Sequence, residues 1–390
     1  MSKHSLRIFL IFNFIIMTTF NLAHPVTPRM INELQLPSEM FGVFFALMSI
    51  GSYIMSPIWG SLSDYKGRKI FLIFGVLGYG LTQIGFGFST TIPAILFFRL
   101  LGGGISVSYV AIIMAVISDL STSKNRIKAL SFLAATTSLG AAFGSILGGI
   151  IGSADYRHAF LAQFLICLIL AAALFFLTTE SLKHKKEGDI TISNNHLKFK
   201  KSTIDFRSLL GTMILTVALL SITSTAYTST IGYYVESVLG LPTQLNGLIL
   251  SILPFVAVFM NFFVSPMLAR KFDSLKSLTF IVLFTALSLI AWSMSSNLIL
   301  VIIFLVLFIL VLPLSQPIYQ SIISSMAYDN AGEIMGIQNS ARSVGMVLGS
   351  LLSGYIFNFG SKLPFLMGGL TALLAFVILY NAYQKRAKQN

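Results

Sequence analysis

Long apolar segments separated by short polar loops occupy almost the whole chain. A helix that crosses a bilayer needs about 20 predominantly apolar residues, and segments of that length recur throughout the sequence. The pattern predicts an all-α membrane protein, because helices satisfy their backbone hydrogen bonds internally in lipid. The twelve predicted spans are 7–29, 38–62, 69–88, 92–118, 128–152, 158–178, 208–235, 244–268, 277–295, 298–326, 334–358 and 363–381.

Charged residues make up only 10% of the chain, and their placement predicts its orientation. The net charge is +13, but Lys and Arg concentrate at the two termini and in every second loop. The opposite loops hold only Arg29, Arg157 and Lys362. This bias predicts that both termini are cytoplasmic. It also argues against nucleic acid as a partner, because there is no basic soluble domain to bind it.

One long polar stretch, residues 181–206, divides the spans into two sets of six. We therefore expect a bundle over 1–180, a cytoplasmic linker over 181–206 and a second bundle over 207–390. Two patterns recur between the halves at nearly equal offsets, which indicates duplication of the kind found in one class of transporters. The recurring pairs are Ser56, Pro57 and Asp64 with Ser265, Pro266 and Asp273, and Ser138, Gly140, Gly144, Ser145 and Gly149 with Ser343, Gly345, Gly349, Ser350 and Gly354.

The loop between the second and third spans contains closely spaced Gly, Asp and Arg residues, from Gly60 to Lys69. Asp64 can accept hydrogen bonds from backbone amides at the start of a nearby helix, where the helix dipole is positive. Arg68 can bind a carboxylate through two hydrogen bonds, and Asp119 at the end of the fourth span is the candidate. Gly60 and Gly67 allow close approach and a tight turn. The alternative is a plain positively charged cytoplasmic loop.

Three motifs resemble those of the major facilitator superfamily, in its twelve-span drug:proton antiporter branch of bacterial multidrug and tetracycline exporters. The loop Gly60-x-x-x-Asp64-x-x-Gly67-Arg68-Lys69 is similar to the superfamily signature. Arg99-Leu-Leu-Gly-Gly103 is similar to the arginine motif of the fourth span. The fifth span resembles the antiporter motif, with Ser145 where the family usually has Pro. The motif residues of that span are Gly140, Gly144, Ser145, Gly148 and Gly149.

The resemblance implies the major facilitator fold, with 12 transmembrane helices in two pseudo-symmetric six-helix bundles. It also implies a conformational latch that closes the cytoplasmic side in the outward-facing state, with Asp64 against the start of the eleventh span near Gly332. The latch residues are Gly60, Asp64, Gly67, Arg68, Lys69 and Asp119. For the glycine-rich fifth span, helix packing alone is an equal alternative to a functional role.

Two residues are candidates for coupling transport to protons. Arg99 lies inside the fourth span, where a charge is costly and usually faces a wet cavity or a partner. The resemblance implies a proton-linked role for it, while snorkelling to the outer headgroups is the alternative. His24 lies in the first span, and imidazole has the unperturbed pKa nearest to cytoplasmic pH. The alternative for His24 is a hydrogen-bonding role next to Pro25.

Polar residues cluster in the first, seventh, tenth and eleventh spans, and the resemblance places the first, fourth, seventh and tenth around a central cavity. Hydrogen bonds between helices are the alternative role for such residues. Because the acidic residues lie at span ends or in loops, we expect a substrate that is neutral or anionic rather than cationic. Arg342 either anchors it or is structural. The candidate cavity residues are Asn21, Tyr227, Gln316, Tyr319, Gln320 and Arg342.

The sequence thus predicts proton-coupled efflux of a small molecule by alternating access across a bacterial plasma membrane. Proton-symport uptake of a metabolite is the alternative, and a sensor that binds without transporting is a third class. An enzyme is disfavoured, because the sequence has no nucleophile–base motif and no metal-ligand cluster. We expect no cofactor or metal, and a monomer whose partners are substrate, protons and lipid.

Overall fold

The structure, a computed structural model, describes residues 3–121, 125–181, 208–326 and 331–387, and these residues form helices, turns and short connections without a strand. The predicted linker, 181–206, lies outside the described residues except for Ser181. The α-helices are α1 (Lys3–Phe20), α2 (Thr27–Glu33), α3 (Met40–Lys66), α4 (Arg68–Phe88), α5 (Ile92–Asp119), α6 (Arg126–Ile151), α7 (Tyr156–Leu177), α8 (Leu209–Tyr233), α9 (Thr243–Phe259), α10 (Ser265–Lys271), α11 (Ser274–Met294), α12 (Leu298–Met326), α13 (Ala331–Phe357) and α14 (Leu363–Ala387).

Ten helical segments of the described chain are long and apolar enough to cross a membrane. Two predicted spans are not among them. The first span contributes a shorter apolar helix, Leu6–Phe20. The eleventh corresponds to α13, whose first half carries the polar side chains of Gln338, Asn339 and Arg342. Polar residues in a helix of this length lower its mean hydropathy, although the helix itself is continuous.

Three predicted spans depart from regular α-helix. The seventh ends in a π-helical turn, Tyr234–Val238, and the first and the eighth depart beside proline. The first span is divided, because α1 ends at Phe20 and residues 21–26 form turns before α2. Pro25 cannot donate a backbone hydrogen bond, and Pro28 suits the first turn of the new helix. The eighth span is interrupted by a π-helical turn, Met260–Val264, directly before Ser265 and Pro266. Such turns are single departures from the α-helical bonding pattern.

The described chain forms two compact units. Unit 1 takes its residues from Met1–Gln35, Leu47–Lys201 and Gly240–Pro254, and unit 2 from Leu36–Ala46, Ser202–Leu239 and Phe255–Asn390. The start of α3 and most of α9 therefore group with the half of the chain that does not contain them. The predicted boundaries at 180 and 207 stay a prediction.

Both units pack their helices in the same way. In unit 1, α4 packs against α5 and α7, and α1 packs against α6. In unit 2, α11 packs against α12 and α14, and α8 packs against α13. Because these pairs occupy equivalent places in the order of the spans, the internal packing repeats along with the sequence motifs. Each unit has its own apolar core, containing Tyr79 and Tyr109 in unit 1 and Val282 and Ile323 in unit 2.

Candidate transport site

The loop between α3 and α4 is a tight reversal with Arg68 at its centre. Gly67 has a φ of 106°, which strongly favours glycine. The Arg68 guanidinium lies 2.8 Å from the Asp64 carboxylate and 3.2 Å from that of Asp119, and it donates to Ser63 Oγ at 2.7 Å. The structure thus brings together Arg68 and the carboxylate expected for it. The predicted role of these contacts as a latch stays a prediction.

Sequence reasoning assigned no role in this loop to Glu180, which follows α7. Its two carboxylate oxygens accept the backbone N–H groups of Arg68 at 2.9 Å and Lys69 at 3.1 Å. N–H groups in the first turn of a helix have no hydrogen-bond partner within the helix, and a negative charge near them is stabilising. Lys69 Nζ in turn donates to the carbonyls of Phe175 and Thr178 at 2.7 Å each. The backbone of the loop is therefore bound by Glu180, and the side chain of Lys69 is bound to carbonyls at the end of α7.

Gly60 does not make the close approach expected from the sequence. A Cβ added there would meet no atom within 4 Å in the described structure. Gly60 lies on the part of α3 that leads into the loop, and its neighbourhood is open. The contact of Asp64 expected with the start of the eleventh span joins the two units and stays a prediction, and the side chains at 331–333 lie outside those described.

The glycines of α6 pack closely against backbone on two sides. A Cβ at Gly140 would lie 2.7 Å from the Phe14 carbonyl oxygen of α1, and Gly144 and Gly148 continue this contact along α1. Gly149 faces α9 instead, where a Cβ would lie 3.1 Å from the Cα of Gly247. Ser145, at the position usual for Pro, donates to the Ala141 carbonyl at 3.0 Å within α6. The motif therefore lets α6 approach α1 and the start of α9.

The repeat of this motif in α13 makes the equivalent contacts in unit 2. A Cβ at Gly345 would lie 2.7 Å from Ser221 Cβ of α8, and Gly349 also faces α8. Gly354 faces the start of α3, with the Cα of Gly42 at 3.2 Å from an added Cβ. The repeated glycines thus have repeated packing partners, the first helix of each half and the start of a helix from the other half.

The break of the first span exposes backbone carbonyls that polar side chains bind. Gln163 Nε2 of α7 donates to the carbonyl of Thr19 at 2.8 Å and that of Phe20 at 3.2 Å. The Tyr79 hydroxyl of α4 donates to the Phe20 carbonyl at 3.3 Å, and the Gln163 amide lies within reach of this hydroxyl. Sequence reasoning missed both residues, because their partners are distant in the chain.

His24, one of the predicted coupling residues, lies in this break, and it interacts electrostatically with the other, Arg99. His24 is half-buried in the turns that follow α1. Arg99 of α5 is only 3% exposed, and its guanidinium carbon lies 4.8 Å from the ring centre of Phe86. The charge of Arg99 interacts with both His24 and the Tyr79 hydroxyl. A titratable imidazole therefore lies within the field of a buried cation.

The predicted cavity residues have different environments. Asn21 is half-buried in unit 1, and its Nδ2 donates to the Met17 carbonyl at 2.7 Å. In unit 2, Tyr227 differs from the expectation of a cavity wall, because its ring packs against Phe308 at 4.8 Å and Phe365 at 6.2 Å between centres. Position 227 of α8 faces α12 and α14, so this tyrosine belongs to the apolar core.

The remaining cavity candidates lie on α12 and α13 of unit 2. Gln316 and Gln320 are exposed and lie one turn apart on α12, and Arg342 of α13 is also exposed. Tyr319, between the glutamines, is buried but interacts with the charge of Arg342. Among the described residues, no group of three His, Cys, Asp or Glu side chains could hold a metal ion.

Comparisons with known proteins agree over nearly the whole chain. The sequence model described as Major Facilitator Superfamily matches residues 9–350. The chain is 25% identical to "Multidrug resistance protein 2" of Bacillus subtilis, covering 93% of this chain and 90% of that one. It is 27% identical to "Tetracycline resistance protein, class H" of Pasteurella multocida, covering 94% and 92%. The crystal structure of a D-xylose-proton symporter superposes with a TM-score of 0.75, at 16% identity and 96% coverage of both chains.

Proposed function

The chain belongs to the Major Facilitator Superfamily, and we propose that it exports a small molecule from a bacterial cell in exchange for protons. It has the fold of that superfamily and is a multi-pass membrane transporter, not an enzyme. Export, proton coupling and a cytoplasmic location of both termini are the parts that we add. The names of its relatives, resistance proteins for drugs and tetracycline, support export.

The electrostatic interaction of His24 with the buried cation of Arg99 is the observation that carries the proposal. A proton on His24 would put two positive charges near each other in a site of low polarity, where their repulsion is weakly screened. Protonation therefore favours a conformer in which the two groups separate or become solvated. A proton and a substrate that stabilise different conformers exchange across the membrane by shifting populations.

The loop contacts of Arg68 support the mechanical part of the mechanism. Alternating access needs an element with two discrete arrangements. The ion pairs of Arg68 with Asp64 and Asp119 join the ends of α3 and α5, and Glu180 joins α4 to the end of α7. We infer that this joined group of helix ends moves as one piece and forms one side of the latch.

The exposed group of Gln316, Gln320 and Arg342 supports a substrate that is neutral or anionic. Among the charged side chains of the described ranges, the buried one is Arg99, a cation. A lipophilic cation would thus find no buried carboxylate in those ranges to offset its charge. Replacing Arg342 by Ala should weaken transport of anionic compounds more than that of neutral ones, whereas equal loss for both would assign it a structural role.

The test of the proposal follows proton movement during transport. Purified protein is reconstituted into liposomes that enclose a pH-sensitive dye. Tetracycline or one of a panel of anionic drugs is then added on one side of the membrane, which imposes a substrate gradient without a pH gradient. Exchange predicts that protons move opposite to the substrate. The alternative is proton-symport uptake, which the likeness in fold to a sugar symporter keeps open. Symport predicts that protons and substrate move in the same direction.

A further inference from the structure

Gln83 lies in the middle of α4 with a side chain that is fully buried. Neither its Nε2 nor its Oε1 has a hydrogen-bond partner among the described residues. Because both atoms lack partners, exchanging the oxygen and nitrogen positions of the amide does not change this conclusion. Buried side-chain polar atoms are in large majority hydrogen-bonded to protein or ordered water, so this amide requires an explanation.

Arg99 and Gly102 of α5 flank this amide on one side. A Cβ at Gly102 would lie 3.5 Å from Gln83 Nε2, so the absence of a side chain there leaves room beside the amide. Arg99 lies one turn before Gly102 on α5, and it contacts Phe86, which lies one turn after Gln83 on α4. The unpartnered amide and the buried cation thus share one stretch of the α4–α5 interface.

Gln163 of α7 faces the same stretch of α4 from the other side. A Cβ at Gly80 would lie 2.7 Å from Cys167 Cβ, and one at Gly87 would lie 2.7 Å from Phe160 Cβ. These contacts align the two helices so that Gln163, between Phe160 and Cys167, lies opposite the segment that contains Gln83. Gln163 is also fully buried, and its Oε1 has no partner among the described residues.

The unpartnered atoms indicate what chemistry would satisfy them. They are one donor group, Gln83 Nε2, and two acceptors, the Oε1 atoms of Gln83 and Gln163. An anion could accept from Nε2 but could not donate to the two oxygens, and a cation would be repelled by Arg99. Water donates and accepts, and a buried water typically makes about three hydrogen bonds.

We propose that Gln83 and Gln163 bind internal water molecules beside Arg99, in the space between α4, α5, α7 and the break of the first span. These waters solvate the guanidinium of Arg99 and lie next to the Tyr79 hydroxyl. They provide a hydrogen-bonded medium through which a proton reaches the pair of Arg99 and His24. This last role rests on the proposed function, whereas the binding of water does not.

Hydroxyl-radical footprinting with a synchrotron X-ray pulse detects such waters, because radicals formed from bound water label the side chains next to it. The full-length protein in lipid nanodiscs is exposed and analysed by mass spectrometry. Tyr79 and Phe86 are buried, yet we expect both to be labelled. Phe308 is equally buried in the aromatic core of unit 2 and serves as the dry reference. Labelling of Tyr79 and Phe86 no greater than that of Phe308 would overturn the proposal.

Variants at Gln83 make the test specific. Gln83→Leu and Gln83→Met remove the amide at similar volume, and either should reduce the labelling of Tyr79 and Phe86 severalfold. The matched control is Gln384→Leu, since Gln384 is an exposed amide on α14, and it should change neither. Unchanged labelling in both Gln83 variants would contradict the proposal.

Thermal stability gives a second readout that is independent of transport. If Gln83 had no water, replacing it by Leu would remove two unsatisfied polar atoms and raise the Tm. The proposal predicts an unchanged or lower Tm, and a rise would count against it. Labelling that is present in a protein without proton exchange would leave the water site standing and remove the proposed function. Absent labelling in a protein that exchanges substrate for protons would remove the water site and leave the proposed function standing.

Discussion

At the scale of single residues, Arg68 is a largely buried side chain that joins two carboxylates, those of Asp64 and Asp119. It contacts two carboxylates and a hydroxyl through one planar guanidinium. A lysine carries a single ammonium group and cannot reproduce this forked geometry. This arrangement of contacts therefore depends on the guanidinium of an arginine and not on positive charge alone.

Replacing Arg68 by Lys should reduce transport much more than stability. Partly exposed ion pairs contribute only about 0.2–1 kcal/mol each, so the Tm should change little. Transport, measured as initial rates in proteoliposomes, should fall severalfold if the latch role is correct. The control is Arg157→Lys, because Arg157 is more exposed and its contact with Asp155 is 4.0 Å long. Equal transport by the Arg68→Lys variant and the unmodified protein would remove the latch role.

The same scale shows what sequence reasoning could not find. The contact of Arg68 with Asp119 was predictable from charge and from the ends of two spans. The hydrogen bonds of Glu180 to the first amides of α4 were not, because they use backbone atoms more than 100 positions away. The pattern of the sequence showed at this position an acidic residue directly after an apolar span, which does not indicate its partners.

At the scale of elements, the glycine faces of α6 and α13 decide how closely helices approach. Gly148 should tolerate no side chain, because a Cβ there would lie 2.7 Å from the Leu22 carbonyl carbon. Overpacking of this kind costs about 1–3 kcal/mol. We expect Gly148→Ala to lower the Tm measured by the unfolding of detergent-purified protein.

Gly336 of α13 provides the matched control for this substitution. A Cβ there would meet no atom within 4 Å in the described structure, and the residue is exposed. Ala is favoured over Gly in a helix by about 1 kcal/mol, so Gly336→Ala should leave the Tm unchanged or raise it. If both variants shifted the Tm equally, close packing of α6 would not be the reason for its glycines.

The break between α1 and α2 is stabilised by side chains of other helices. We predict that Gln163→Leu lowers the Tm, because it leaves the carbonyls of Thr19 and Phe20 without their amide donor. The Phe20 carbonyl keeps the Tyr79 hydroxyl and the Thr19 carbonyl keeps the backbone N–H of Leu22. The expected cost is therefore that of lost hydrogen bonds, about 0.5–1.5 kcal/mol each. Thermal unfolding of this variant beside Gln384→Leu, which changes an exposed amide, measures the effect. Equal Tm values for the two variants would show that the break does not depend on Gln163.

The break in the first span shows what a prediction from apolar content alone leaves out. Hydropathy averaged over the length of a span detects residues that lipid tolerates. In such an average the apolar residues of 8–20 outweigh the polar residues Asn21 and His24. Whether a helix continues past Pro25 depends on partners for the freed carbonyls. Those partners, Tyr79 and Gln163, lie in the third and sixth spans. The break could therefore be located only from the folded structure.

At the scale of the whole molecule, apolar length and internal repetition predicted an all-α membrane protein with two related halves, and the resemblance of the motifs implied the major facilitator fold. The repeated Ser and Gly positions of the fifth and eleventh spans predicted an internal duplication. In the structure the repeated glycines have equivalent packing partners. The site was less predictable. Arg99 was selected from the cost of a charge in lipid and His24 from the unperturbed pKa of imidazole, and both coupling roles stay predictions. Tyr227 was expected in a polar cavity but packs among aromatic rings, because a tyrosine serves equally in both.

Exchange of substrate for protons is the central claim, and inverted membrane vesicles test it most directly. With the vesicle interior made acidic, the account predicts that substrate accumulates inside, that nigericin abolishes the accumulation, and that Arg99→Ala abolishes it in vesicles containing the same amount of protein. Accumulation that requires an alkaline interior, or that persists after the pH gradient is collapsed, would contradict the account.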